Sequence, residues 1–189
     1  MEGLALIDRS RFFSRARAKP FGGTMTQGQV DGCNALLDAW ERGTNADSRH
    51  LAYMLATTKW ETAHTMLPVE EYGHGAGHSY GQPDPITGKT YYGRGYVQLT
   101  WKPNYAKMAG LLGVDLIYHP ERALEPQIAC EIMFRGMADG LFTGVGLRRY
   151  FDATHDDPVN ARRIINGTDH ASDIAAIHGG FLGALSSAP

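Results

Sequence analysis

The sequence predicts a mainly helical fold carrying one small β-hairpin, in a single domain covering residues 1-189. Apolar residues recur at helical spacing between recognisable cap residues, while β-prone residues are confined to one short segment around Gly93-Arg94-Gly95. The chain has 189 residues, 43% hydrophobic and 20% charged, a size and balance that suit one packed core and exclude a disordered chain.

Thr26-Gln27-Gly28-Gln29 has the form of a capping box, and Val30, Cys33, Leu37 and Trp40 follow at helical spacing before Gly43 stops the run. A second helix starts near Asp47 or Ser48, and its stripe of Leu51, Met54, Leu55 and Thr58 runs on to Glu61. Between 73 and 88 glycines alternate with Pro83, Asp84 and Pro85, which predicts an irregular surface loop. The runs Thr90-Tyr91-Tyr92 and Tyr96 to Trp101, either side of Gly93-Arg94-Gly95, predict the hairpin. Further helices are expected from an Asn104 cap through Met108 and Leu111 to Gly113, and from Pro126 through Ile128, Ile132 and Met133. Two more are expected, over 159–165 and after Ser172 through Ile174, Ile177, Phe181 and Leu182. No repeat or linker marks a domain boundary.

The formal net charge of −2 removes the basic field with which proteins gather nucleic acid, so no nucleic-acid partner is expected. Cys33 and Cys130 lie in apolar helical patterns and read as buried free thiols. The opening residues lack a signal-peptide pattern and no apolar run reaches bilayer length, so synthesis in the cytoplasm and no stable membrane insertion are expected.

Two acidic positions suggest chemistry. Glycoside hydrolysis needs one carboxylic acid that holds a proton and a second carboxylate that activates water or steadies positive charge. Glu61 ends an apolar stripe beside Trp60, where partial desolvation would keep it protonated; Glu70, with Glu71 next to it, lies at a loop edge suited to an ionised group. Spacing alone favours solvated surface glutamates, since paired glutamates are common. His74, His78 and nearby His64 raise the thought of a zinc amidase, but glycines separate the first two and no third ligand stands at a metal spacing, so no metal or cofactor is expected. Gly88-Lys89-Thr90 imitates the end of a phosphate loop, yet Pro83 occupies the required earlier glycine.

The segment Tyr91-Tyr92-Gly93-Arg94-Gly95-Tyr96-Val97-Gln98-Leu99-Thr100-Trp101-Lys102-Pro103-Asn104-Tyr105 closely resembles the signature of glycoside hydrolase family 19, which holds plant-type chitinases and many phage endolysins. Lys59-Trp60-Glu61-Thr62-Ala63-His64 resembles the helix end carrying that family's general acid, and Arg163-Ile164-Ile165-Asn166-Gly167 its Arg-x-Ile-Asn-Gly segment. The resemblance implies a lysozyme-like α+β fold, a helical bundle of two lobes around a cleft. It implies Glu61 as acid, Glu70 as base with Glu71 as the open alternative, and Thr100 holding the attacking water. Gln98, Asn104, Asn166 and His64 would contact sugar, and Tyr92 or Tyr96 with Trp101 would wall the cleft. The short Glu61-to-Glu70 interval and the two cysteines resemble a compact endolysin more than a plant chitinase. The expected activity is therefore muramidase cleavage of the peptidoglycan glycan strand, with chitin hydrolysis and a non-catalytic wall-binding module as alternatives. A monomer is implied, made in a host cytoplasm, acting in the periplasm on the cell wall, and released by a separate membrane-disrupting protein.

Overall fold

A computed structural model describes residues 6–44 and 46–187. Six α-helices dominate the described residues: α1 (Arg9–Ala18), α2 (Gln27–Glu41), α3 (Ser48–Glu61), α4 (Lys102–Leu112), α5 (Pro126–Ala138) and α6 (Ala171–Leu185). Two strands of two residues each, β1 (Val69–Glu70) and β2 (Arg94–Gly95), pair antiparallel with Glu70 opposite Arg94.

The capping box of α2 is complete: Gln29 N donates to Thr26 Oγ1 at 3.2 Å and Thr26 N donates to Gln29 Oε1 at 2.8 Å. Asp47 caps α3 by accepting from Arg49 N at 3.0 Å. Every residue of α3 from His50 to Lys59 is buried, so this helix forms the centre of the core and not one of its faces. It packs most extensively on α6; α1 also lies on α6, and α2 lies on α5.

The sequence reading missed α1. Its segment carries Arg9, Arg11, Arg15 and Arg17 and buries only Phe12 and Ala16, too thin a stripe to stand out. Tertiary contacts hold it: the Phe12 ring stacks on Phe181 at 6.3 Å, and Arg15 Nη1 donates to the Gly183 and Ser186 carbonyls at the end of α6.

The expected hairpin is corrected. Runs 91–92 and 96–101 do not pair with each other; β2 pairs instead with β1, twenty-five positions earlier. Gln98 and Trp101 have φ of +53° and +73°, which breaks any extended run through this segment and leaves a single bridge between Arg94 and Leu99. Asn104 does not cap α4; Trp101 does, and Gly113 closes that helix in the left-handed conformation. His170, not Ser172, precedes α6, and the expected helix over 159–165 is a 3₁₀ turn at Asn160–Ile164. Cys33 and Cys130 are buried free thiols, each pushed up to about 12 by burial.

Candidate active site

Glu61 is the last residue of α3, where the buried helix meets solvent. Trp60 does not supply its environment, because the Trp60 ring turns towards His170 at 4.7 Å and His64 at 6.1 Å. The neighbour of Glu61 is Arg162, whose Nη1 donates to Glu61 Oε1. Arg162 is itself buried and is steadied by Asp169, accepting Nε at the backbone carbonyl at 3.2 Å and facing Nη2 with its carboxylate at 3.5 Å. An expected apolar niche is thus an ion-paired one, in which Oε1 is fixed and Oε2 remains available.

The sequence reading missed Arg162, although it pointed at Arg163 next door. On the 3₁₀ turn the two side chains diverge, and Arg163 faces solvent while Arg162 enters the core. Asn166 lies beyond this turn, exposed, with its Oδ1 accepting from Gly167 N at 2.9 Å. His64 sits past the end of α3 at a φ of +68°; its Nδ1 accepts from Lys59 Nζ at 3.2 Å, and its pKa is lowered by burial and then by that lysine.

Glu70 occupies a different setting. From β1 its Oε1 accepts from the Tyr92 hydroxyl at 2.6 Å and lies 3.6 Å from Arg94 Nε, while its Oε2 lies 3.5 Å from His74 Nε2. Glu71 points elsewhere and works as a structural staple, accepting from the Tyr80 hydroxyl at 2.9 Å and from Gly93 N at 3.0 Å. The Arg94 guanidinium is buried, stands 3.6 Å over the Tyr92 ring and donates to the Tyr105 hydroxyl at 3.0 Å.

The glycines flanking Arg94 have distinct reasons. A Cβ on Gly93 would come within 2.8 Å of Gln98 Oε1, whereas Gly95 adopts a φ of +88° with the Ala123 carbonyl 2.9 Å from where its Cβ would stand. Behind them a relay of polar contacts links the remaining candidates to the Val69 carbonyl, one residue before Glu70. Gln98 Nε2 donates to the Val69 and Gly95 carbonyls at 3.1 and 3.2 Å, Thr100 Oγ1 donates to the Gln98 carbonyl at 2.7 Å, and Asn104 Nδ2 donates to the Thr100 carbonyl at 2.8 Å. Thr100 is left with oxygen lone pairs to accept from a water, and Gln98 and Asn104 each keep an amide oxygen.

Two aromatic expectations change. Tyr96 is not a cleft wall: it is 1% exposed, beside the Cys33 and Cys130 thiols. Tyr92 is nearly buried and serves Glu70 by its hydroxyl instead of presenting a face. Trp101 remains 49% exposed, edge-on to Tyr80 at 4.9 Å, where with Pro83, Asp84 and Pro85 it borders a hollow of about 310 Å³. The structure therefore sorts the candidates into one group of Glu61, Arg162 and Asp169 and another of Glu70, Tyr92, Gln98, Thr100 and Asn104. The chain from Thr62 to Val69 joins them, held by Thr62 Oγ1 accepting from Met66 N at 3.0 Å and Gln29 Nε2 donating to the His64 carbonyl at 2.9 Å. Among the described residues no cluster of three or more His, Cys, Asp or Glu could hold a metal ion, and no helix is long and apolar enough to cross a membrane.

Comparison with solved structures gives the fold a relative. Chitinase C from Streptomyces griseus superposes with a TM-score of 0.61 over 100% of this chain and 80% of its own, at 19% identity. A bacterial family 19 chitinase does so at 0.60 over 98% of this chain and 97% of its own, at 20% identity. The chain thus has the lysozyme-like, mainly helical fold of the family 19 chitinases. Among curated proteins it is 38% identical over 97 residues to an endochitinase of Arabidopsis thaliana, covering 49% of this chain and 34% of that protein. It is 34% identical over 122 residues to an inactive chitinase-like protein of Hevea brasiliensis, covering 58% and 31%. The chain spans about a third of the length of these two relatives. No family model matches the sequence.

Proposed function

We propose that the chain is an inverting glycoside hydrolase acting on a β-1,4-linked glycan of N-acetylated amino sugars, with chitin-type chains as its substrate class. The observation that carries the reading is the pair of unlike carboxylates: Glu61 at the end of a buried helix, and Glu70 held by a tyrosine hydroxyl beside an arginine. Glu61 delivers a proton to the leaving glycosidic oxygen and returns to the ionised form that Arg162 stabilises, and Glu70 takes the proton of a water that attacks the anomeric carbon from the opposite face. Thr100 accepts a hydrogen bond from that water, because its own proton is committed to the Gln98 carbonyl. The amide oxygens of Gln98 and Asn104 are suited to sugar hydroxyl and N-acetyl N–H groups.

The chitinase relatives favour chitin over the peptidoglycan expected from the sequence. One observation favours the second reading: only the short link 62–68 separates the helix of Glu61 from the strand of Glu70, leaving little chain to wall a long cleft. Hydrolysis of soluble N-acetylglucosamine oligomers and of purified peptidoglycan strands, assayed side by side, distinguishes them. Proton NMR of the first products should show the α-anomer. A first-formed β-anomer would overturn inversion. The inactive relative makes a binding measurement on the wild type necessary, since wild-type binding without cleavage would expose a non-catalytic module.

A further inference from the structure

We infer that Lys59 and His64 form a specificity site next to Glu61: Lys59 fixes the imidazole as an Nε2–H donor for the carbonyl oxygen of a sugar's N-acetyl group, and the pair disfavours a free amine. This rests on the reading of the protein as a hydrolase of N-acetylated amino sugars.

Lys59 is the unusual residue. It lies in the buried stretch of α3 and is only 6% exposed, yet among the described residues no carboxylate pairs with it. Its Nζ meets His64 Nδ1 at 3.2 Å and stands 5.5 Å from the centre of the Phe21 ring. Buried lysines are ordinarily paired, because an uncompensated charge is costly to take out of water. An ammonium kept in such a place, with one imidazole nitrogen as its hydrogen-bond partner, points to a use for that bond.

The backbone is shaped to deliver the ring. Ala63 and His64 take consecutive φ values of +47° and +68°, so the chain turns back over the last turn of α3 as soon as Glu61 has ended it. Residues with a Cβ persist in this region where surrounding contacts hold them. Here His64 N donates to the Lys59 carbonyl at 2.8 Å, and Gln29 Nε2 donates to the His64 carbonyl at 2.9 Å. The Gln29 Oε1 is itself occupied by Thr26 N, so the clamp cannot swivel freely. The Trp60 ring, backed by His170 at 4.7 Å, borders the imidazole at 6.1 Å.

An ammonium has three donors and no acceptor, so Nδ1 must accept from Lys59, and the single proton of the uncharged imidazole then sits on Nε2. Burial, and then Lys59, lower the pKa of His64 and favour that uncharged form. His64 is exposed and its Nε2 takes no partner among the described residues, which leaves one fixed donor facing solvent three positions after Glu61. A fixed donor discriminates by chemistry. Sugar hydroxyls donate or accept as required and satisfy it either way, whereas an N-acetyl carbonyl only accepts. A deacetylated unit presents an ammonium instead, which leaves the Nε2–H unpaired and sets a second positive charge near Lys59.

The test begins with the imidazole itself. Long-range proton–nitrogen NMR of the resting protein at about pH 8, above the ordinary histidine range, should show His64 in the Nε2–H form alone. Lys59→Met, which keeps length and removes the charge, should give a mixture of both forms; an Nδ1–H form in wild type, or no change on Lys59→Met, overturns the pairing. His64→Gly, which suits the positive φ, should raise KM for a soluble N-acetylglucosamine oligomer by roughly threefold to tenfold, more than it lowers kcat. Lys59→Met should act in the same direction, and the double variant should be no worse than His64→Gly, because Lys59 works through the imidazole. Additive effects would make Lys59 merely structural. Wild type should bind N-acetylglucosamine oligomers more tightly than fully deacetylated glucosamine oligomers, and Lys59→Met should narrow that ratio about twofold to fivefold; an unchanged ratio refutes the selectivity. An oligomer that shifts the Nε2–H signal in a protein that cuts no glycan refutes the proposed function alone. Cutting with the imidazole signal undisturbed refutes the role of Lys59 and His64 alone.

Discussion

The proposed acid and base, Glu61 and Glu70, are positioned on opposite principles. Glu61 hangs from a helix buried from His50 to Lys59, and its partner Arg162 is buried as well, so both ends of the ion pair are positioned by the core. Glu70 sits on a two-residue strand that opens into the glycine-rich segment from Gly73, and is positioned by side chains: Tyr92, Arg94 and His74. The difference teaches that two carboxylates nine positions apart can be fixed to very different degrees. The acid is held by packing, and the base by a hydrogen-bond shell that solvent reaches.

The largest expected effect tests whether the two ends share one reaction. Glu61→Gln and Glu70→Gln should each lower kcat by at least ~100-fold, the minimum expected of general acid–base catalysis, while circular dichroism stays native. Glu71→Gln should instead lower thermal stability and cost only a few-fold in rate, because Glu71 bonds Tyr80 and Gly93 and does not face Glu70's partners. A Glu71 variant as dead as Glu70→Gln, with unchanged stability, would exchange their roles.

The joint between the ends offers a second test. Gly32, in the middle of α2, lies so close to the link that a Cβ there would run into the Met66 carbonyl, which is backbone and has nowhere to go. Gly32→Ala should destabilise the fold by roughly 1 to 3 kcal/mol in urea unfolding, despite the better helix propensity of alanine. A neutral result would mean the link is softer than the packing implies.

The smallest effect concerns the core on which the helix of Glu61 packs. His178 on α6 is buried against Tyr53 of α3 and Phe151, and burial is the main cause of its lowered pKa. The unfolded chain binds that proton more readily, so His178 contributes its full stability above the ordinary histidine value, about 6.5, and loses it as pH falls below. Urea midpoints of the wild type should rise between pH 5 and 7. His178→Phe should flatten that rise, and an unaltered slope would place the pH dependence elsewhere.

Helices with complete local signals were legible in the sequence: the capping box of α2, the Asp47 cap of α3 and Pro126 at the start of α5 all match their expected places. Helix α1 was not, because its stability comes from Phe181 and the end of α6, both more than 160 positions away. At the site, sequence singled out Glu61 and Glu70 but not their environments. Arg162 rather than Arg163 meets Glu61 because of the phase of a 3₁₀ turn, which periodicity does not specify. Tyr92 meets Glu70 through a strand pairing of residues 69–70 with 94–95 that no local propensity announces. Tyr96 went the other way, into the core, for the same reason: the segment is a chain of turns, so alternation of faces fails.

Seven described residues other than glycine have positive φ: Ala63, His64, Met66, His74, Gln98, Trp101 and His170. All adjoin the acid or base group or the link between them. Such backbone admits glycine, asparagine and aspartate most readily and rejects β-branched residues. The perimeter of the site is consequently poor ground for directed evolution by random replacement: Val, Ile and Thr are costly at all seven positions whatever their side chains offer a sugar. Under the proposed function, substrate preference is more freely retuned from positions such as Asn104 and Asn166, exposed residues outside the positive-φ set, where a new side chain can be tried without refolding the turn beneath it.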